Sequence, residues 1–270
     1  MMTTMQIGTQ YSTGKSRANI EQALRATGLD LDALQPGDLW MLEDFHTLGR
    51  IATNQLADLA QVTKRDRVLD AGSGIGGTAR FLAHQYDCIV TALDLTEEYC
   101  DTARWLDQLV GLQDKISVRQ GDVTNLPFDD RSFDVVFSQH VQMNVRDKAR
   151  LYTQARRVLD ADGRLALWDV TAGNGHLDYP LPWADGPERS YLVSADKLRA
   201  TIEGAGFTAA VWNDLTESSA QFMESLLSAP RGPLGLHTFV ENFAEKADNF
   251  TRALSNGNLR VVQAVFRAQR

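Results

Sequence analysis

The chain has 270 residues, enough for one large domain or for a domain carrying a cap. Its net charge of −8 argues against a nucleic-acid partner, because phosphate binding needs a basic face, and its two cysteines, Cys88 and Cys100, have neither metal-ligand spacing nor the number for a disulfide framework. The segment "MMTTMQIGTQYSTG" lacks the charged and apolar regions of a signal peptide, and no run reaches membrane-spanning length, so a cytoplasmic setting without a membrane partner is expected.

In chain order, residues 1–60 read as a helical N-terminal cap. "SRANIEQALRATG" and "FHTLGRIATNQLADLA" space apolar residues at three and four, Gly28 ends the first helix, and "LQPGDLW" turns between them. "GTQYSTGKS" superficially resembles a phosphate-binding loop. Five residues separate Gly8 from Gly14 where that motif needs four, and no strand precedes it. From Arg67 onward the pattern alternates. "RVLDAG" predicts a strand and "GTARFLAHQY" a helix; "CIVTALDL" a strand and "EEYCDTARWLDQLVG" a helix; "ISVRQGD" a strand. "FDVVFSQH" predicts a strand, "RDKARLYTQARRVL" a helix with "RDKAR" as its solvated start, and "GRLALWDV" a strand. The Gly-, Pro- and aromatic-rich stretch over 171–193 predicts a lid. A capped helix in "SADKLRATIEGAGF" follows. Two final strands, "TAAVWNDL" and "NLRVVQAVFRA", flank a mostly helical insert over 218–254. The expected fold is α/β: a Rossmann-like, doubly wound, seven-stranded and mostly parallel sheet over 61–270, with the helical segment before it and the insert ahead of the last strand.

"VLDAGSGIGGTARFLA" joins a strand ending in Asp70 to a helix through glycines at 72, 74, 76 and 77. Glycines let backbone approach a ligand, and the helix start favours anionic groups. Asp94, closing the next strand, suits ribose hydroxyls. The spacing also fits the dinucleotide fingerprint, so a nicotinamide-dependent oxidoreductase competes. Three features favour S-adenosylmethionine: Asp70 two residues before the first glycine, "GDVTNLPF" with Asp122 placed for an adenine amino group, and "ARRVLDADGRLAL" turning through glycine into a strand. In this order, over 67–170, they resemble the class I S-adenosylmethionine-dependent methyltransferases. The resemblance implies that Asp70, Gly72, Gly74, Asp94, Leu95, Asp122, Val123 and Gln139 hold the cofactor.

"QYSTG" followed by "DFHTLGRIAT" is similar to the sarcosine/dimethylglycine and phosphoethanolamine N-methyltransferases, whose N-terminal segment folds over the cofactor. The resemblance implies cofactor or pocket contacts for Tyr11, His46 and Thr47. One departure bears on the chemistry. In that group the fourth strand ends Ser-Gln-Asp or Ser-Arg-Asp, with a histidine four residues on. Here it reads Ser138-Gln139-His140, and the later position is Asn144. An imidazole at the carboxyl edge of the sheet can take a proton from a hydroxyl, so O-methylation of a small molecule with His140 as general base is expected. N-methylation of a small amine is the alternative. Asp169 either orients the imidazole, holds a substrate hydroxyl or caps the next loop. Met143, Asn144, Tyr179 and Trp183 are expected to meet the acceptor. Trp212 is a further candidate wall or core residue, and Arg189 a candidate anion holder. His176 and His237 read as packing or surface histidines, and no metal is expected. A homodimer and a non-enzymatic cofactor-binding subunit stay open.

Overall fold

The computed structural model describes residues 11–43, 46–230 and 232–269. The first ten residues of the expected cap and the start of its second helix, at 44–45, lie outside them. Seven strands form one sheet in the order β3-β2-β1-β4-β5-β7-β6. They are β1 Arg67–Ala71, β2 Ile89–Asp94, β3 Ile116–Gln120, β4 Phe133–Gln139, β5 Leu159–Ala172, β6 Phe207–Asp214 and β7 Leu259–Ala268. The first five pair in parallel, and β7 runs antiparallel to both β5 and β6. The expected mostly parallel sheet is therefore present.

The inner strands β1 and β4 are buried on both faces, which is why they read as continuous apolar runs. One face packs on α3 (Gly77–Gln85), α2 (Gly49–Leu59), α7 (Thr216–Ser228) and α8 (Phe243–Ser255), and its core includes Ala52, Leu56, Val68, Leu82, Trp168 and Phe250. The other packs on α5 (Lys148–Val158) and α6 (Ala195–Gly204) around Leu69, Val136, Tyr152, Leu198 and Phe207. Burying a leucine in such a core contributes about 2 kcal/mol. A third cluster joins α1 (Ser16–Ala26) to α4 (Glu97–Leu109). Ile20 and Leu24 of α1 meet Tyr99, Trp105 and Leu106 of α4, and Leu234 and Phe239 of the insert close the cluster. The N-terminal segment and the insert thus meet beside the glycine loop after β1 although more than 200 residues separate Ile20 from Leu234 in the chain.

Three boundaries differ from the sequence reading. Helix α2 begins at Gly49 rather than before His46, because Leu48 takes a left-handed conformation at φ 63°. Helix α5 begins at Lys148, where the Asp147 carboxylate accepts from Arg150 N and caps it. Strand β5 starts at Leu159, four residues ahead of "GRLALWDV", and meets Phe133 before an irregularity in the β4–β5 register. The expected break at 60/61 is also not a break in packing. Ala52, Leu56 and Ala57 of α2 share one core with β1 and β5.

Candidate active site

Strand order reverses between β1 and β4, so the loops after these two strands flank one crevice at the carboxyl edge. After β1, Gly72 N and Ser73 N both donate to Leu93 O, at 2.8 and 3.0 Å, which binds the loop to the end of β2. Gly72 has φ +85°, and a Cβ on it would stand 2.5 Å from Val141 Cγ2, so only glycine lets this loop lie against the turn after β4. The loop is braced from behind by a buried ion pair. Arg80 Nη1 meets Asp107 Oδ1 at 2.9 Å, and Arg80 Nη2 donates to Ile75 O at 2.7 Å. Neither residue carried a motif signal, so the brace was not legible in the sequence.

A cavity of about 310 Å³ opens over the crevice. Among the expected cofactor contacts, Tyr11, His46, Asp70, Gly72, Gly74, Asp94, Leu95, Asp122, Val123 and Gln139 line it. The donor set fits S-adenosylmethionine. Asp94 accepts from Gly74 N (2.8 Å) and Thr96 N (2.8 Å), which fixes its carboxylate at the end of β2. Burial raises the Asp94 pKa against these hydrogen bonds. Asp70 is buried with Oδ2 unpartnered, and burial, then the neighbouring Asp94, raises its pKa to about 7. An anion so placed is compensated by a cationic ligand group such as an ammonium. Asp122 accepts from Thr124 N and Thr124 Oγ1, both at 2.7 Å, so its own turn holds it at the wall.

Thr47 departs from expectation. It does not line the cavity. It is buried behind it, accepting from Trp168 Nε1 at 2.9 Å and within 3.3 Å of Ser219 Oγ. Its neighbour His46 turns inward instead. His46 Nδ1 lies 3.4 Å from Thr47 O, which sets the proton on Nδ1 and leaves Nε2 to accept from Gln139 Nε2 and Thr53 Oγ1, each at 3.1 Å. Gln139 Oε1 in turn accepts from Thr78 Oγ1 at 2.9 Å, a partner in α3 that the sequence did not reveal.

His140 stands at the end of β4 with φ +54°, a conformation uncommon for a residue with a Cβ. Its backbone N donates to Trp168 O at 2.8 Å. The imidazole lines the cavity between His46 (ring centroids 6.1 Å apart) and Phe250 (6.3 Å), and Nε2 has no hydrogen-bond partner. Burial, then the neighbouring His46, holds its pKa well below 6.5, so the ring is neutral at neutral pH. His46 is lowered likewise, to about 4, first by burial and then by Arg50 against the Thr47 carbonyl.

Asp169 is a correction. It is fully buried and absent from the cavity wall. Its Oδ2 accepts from Val141 N and Gln142 N (3.1 Å each), and its Oδ1 from Val170 N. It neither touches the imidazole nor reaches an acceptor. It anchors the turn that carries His140, which makes it a positioning residue.

Of the expected acceptor contacts, Met143, Asn144 and Trp183 line the cavity. Asn144 Oδ1 accepts from Tyr11 OH at 2.9 Å, and Trp183 Nε1 donates to Ser190 Oγ at 3.0 Å. Tyr179, within the lid, packs against the core and away from the wall. Trp212 packs on Phe266, and Arg189 lies off the cavity. Missed wall residues include Tyr99 and Phe239, which continue from Tyr11 as a row of rings 6.0 and 6.1 Å apart. They come from distant segments, and only tertiary packing joins them. No group of three or more metal-ligating side chains occurs among the described residues. Nor is any described helix long and apolar enough to cross a membrane.

Comparison with known proteins accords with this geometry. Residues 69–167 match the methyltransferase domain family. The chain is 31% identical over 176 residues to a glycine/sarcosine/dimethylglycine N-methyltransferase of Actinopolyspora halophila; the match spans 65% of this chain but only 31% of that protein. It is 28% identical to a sarcosine/dimethylglycine N-methyltransferase of Halorhodospira halochloris, over 71% of this chain and 70% of that protein. Among solved structures, geranyl diphosphate C-methyltransferase from Streptomyces coelicolor superposes with a TM-score of 0.72 at 17% identity, covering 98% of this chain and 97% of that one. Residues 69–167 thus form a methyltransferase domain, and the fold of the chain is that of the solved methyltransferase structure.

Proposed function

We propose that this methyltransferase O-methylates a small, partly apolar molecule, with His140 taking the proton of the acceptor hydroxyl. The observation that carries the reading is the His140 imidazole, enclosed at the end of β4, held neutral and unpartnered at Nε2. S-adenosylmethionine, when bound, supplies a methyl group already activated on a sulfonium. The protein's part is to hold the acceptor in line, exclude water and receive a proton. Gly72, Gly74, Asp70, Asp94 and Asp122 hold the cofactor end. The Tyr11–Asn144 hydrogen bond closes the N-terminal segment over the turn after β4. His140 Nε2 would receive the proton that the acceptor hydroxyl loses on methylation, and the imidazole would become cationic.

The carboxylates along the cavity are engaged elsewhere. Asp94 and Asp122 hold their own loops, Asp70 lies at the cofactor end, and Asp147 caps α5. A permanently cationic acceptor would therefore find no carboxylate beside His140 among the described residues. A second reading, methylation of a small amine, is favoured by the names of the relatives. His140 would serve it too, because an ammonium must lose a proton before its lone pair can react.

The test measures S-adenosylhomocysteine release with hydroxyl compounds and amines side by side, in wild type and in His140→Ala. Turnover on a hydroxyl, lost in the variant with cofactor affinity kept, is the expected result. Turnover on amines alone, unchanged in the variant, would overturn the proposal.

A further inference from the structure

A histidine that acts as a base is ordinarily steadied by a carboxylate, which orients the ring and offsets the charge it gains. His140 has no such partner. Asp169, on the neighbouring strand, accepts from the backbone N–H groups of Val141, Gln142 and Val170 instead. The neighbours of the imidazole are rings. His46 and Phe250 meet it edge to face, at interplanar angles of 67° and 71°. Beyond Phe250 stands the buried Trp183, its centroid 5.9 Å from the phenyl ring and its plane turned by 88°. A proton taken up among these rings is held weakly, because no anion compensates the imidazolium. Burial, then the neighbouring His46, acts in the same direction on the His140 pKa.

The reach of such a base depends on the acidity of the hydroxyl. A phenol ionises at about 10, whereas an alkanol is about as weak an acid as water. A weakened imidazole draws a proton far more readily from the first than from the second, because general-base catalysis fails as donor and base move apart in acidity. The walls point the same way. Met143, Pro182 and Trp183 line the cavity together with Tyr11 and Phe239. Polar groups of the walls are engaged with the protein: Tyr11 OH with Asn144 Oδ1, Trp183 Nε1 with Ser190 Oγ, and His46 Nε2 with Gln139 and Thr53. Walls of this kind suit a flat apolar ring better than the several hydroxyls of a sugar.

We propose that the acceptor is a phenol, its aromatic ring packed against Met143 and Trp183 and its acidic hydroxyl presented to His140. This rests on the O-methylation reading above and narrows it. The phenolic oxygen would gain the methyl group that S-adenosylmethionine supplies and lose its proton to the imidazole, with S-adenosylhomocysteine as the other product.

The experiment uses full-length protein and shape-matched neutral acceptors that differ in the acidity of the hydroxyl: 2-naphthol against 2-naphthalenemethanol, and phenol against cyclohexanol. A further acceptor, 4-nitrophenol, is largely ionised in mildly alkaline buffer. Calorimetry on protein saturated with S-adenosylhomocysteine reads binding, and S-adenosylhomocysteine release reads turnover. The two naphthalene compounds should bind alike, while 2-naphthol is turned over at least about hundredfold faster. His140→Ala should lose about hundredfold on 2-naphthol and far less on 4-nitrophenol, whose proton is already gone. Trp183→Leu should weaken 2-naphthol binding several-fold and spare S-adenosylhomocysteine affinity. Alkanols turned over as fast as their phenolic partners, in a manner dependent on His140, would overturn the inference and leave O-methylation standing. No turnover on any phenol, or equal losses on 2-naphthol and 4-nitrophenol in His140→Ala, would also overturn it. Turnover confined to amines would sink the O-methylation reading beneath it.

Discussion

At the scale of single residues, His140 and Asp169 divide what the sequence joined. The histidine was legible because it stands where related enzymes carry a carboxylate, at a strand end that topology places in the crevice. The aspartate stayed open between a site role and a capping one because a strand-end acid reads the same whether it faces ligand or backbone. Here three backbone N–H groups take its oxygens. His140→Ala should cost about 10² to 10⁴ in turnover on a hydroxyl acceptor while sparing cofactor affinity. Asp169→Asn should act differently, because an amide can accept only through one oxygen and cannot satisfy all three donors. It should lower thermal stability and kcat together. Unchanged stability with kcat lost would mean that Asp169 does chemistry after all. Asp94→Ala should chiefly weaken S-adenosylmethionine binding, as calorimetry would show; unchanged affinity would remove it from the cofactor site. The pH dependence follows from the lowered His140 pKa. A base held below the usual imidazole range stays active as pH falls past 6.5, so kcat/KM should decline only in more acid solution.

At the scale of elements, the glycine loop and the turn after β4 are one assembly, held by contacts that no motif announces. Arg80 and Asp107 are buried together behind the loop. Arg80→Met leaves the Asp107 charge uncompensated in the interior and should destabilise the fold by about 3–5 kcal/mol, read by denaturant unfolding. A change below about 1 kcal/mol, the scale of an exposed pair, would show that the pair is not a brace. The N-terminal segment is fixed by a carboxylate. Glu98 Oε2 accepts from Ser12 Oγ (2.6 Å) and Gly14 N (2.7 Å), and its Oε1 from Ser16 N (2.8 Å). The stretch that superficially resembled a phosphate loop therefore wraps an internal anion. Burial of Glu98 raises its pKa, yet the hydrogen bonds from Ser12, Ser16 and Gly14 outweigh that and hold it at about 2. The tether is thus fully formed above the ordinary value of 4.5 and is lost as pH falls toward 2. Glu98→Gln should raise protease cleavage near residues 12–16 at neutral pH, and unchanged cleavage would show that the segment is held otherwise.

At the scale of the whole molecule, alternation of strand and helix was enough to give the parallel sheet, because both faces of each inner strand are buried and leave continuous apolar runs. Helix starts at Gly49 and Lys148 were less legible, since a left-handed Leu48 and a capping Asp147 override periodicity. The cavity wall contributed by Tyr99, Phe239, Arg146 and Tyr191 was not legible at all. Tyr99 and Phe239 meet only after α1, α4 and the insert have packed, and Arg146 meets Tyr191 only where the lid lies on the turn after β4. Global stability should carry the mark of the buried imidazoles. His46 has a folded pKa of about 4 against 6.5, so the unfolded chain takes the proton first as pH falls. Its contribution is present above 6.5 and declines toward pH 4, by about 3 kcal/mol at most. The stability of His46→Gln relative to wild type should therefore rise across that window in urea unfolding; a difference independent of pH would contradict a buried neutral ring. The measurement that tests the central claim most directly is S-adenosylhomocysteine release across paired hydroxyl and amine acceptors, for wild type and His140→Ala at the same cofactor saturation. Release on a hydroxyl compound that vanishes with the imidazole is the predicted result. Release confined to amines and indifferent to His140 would contradict it.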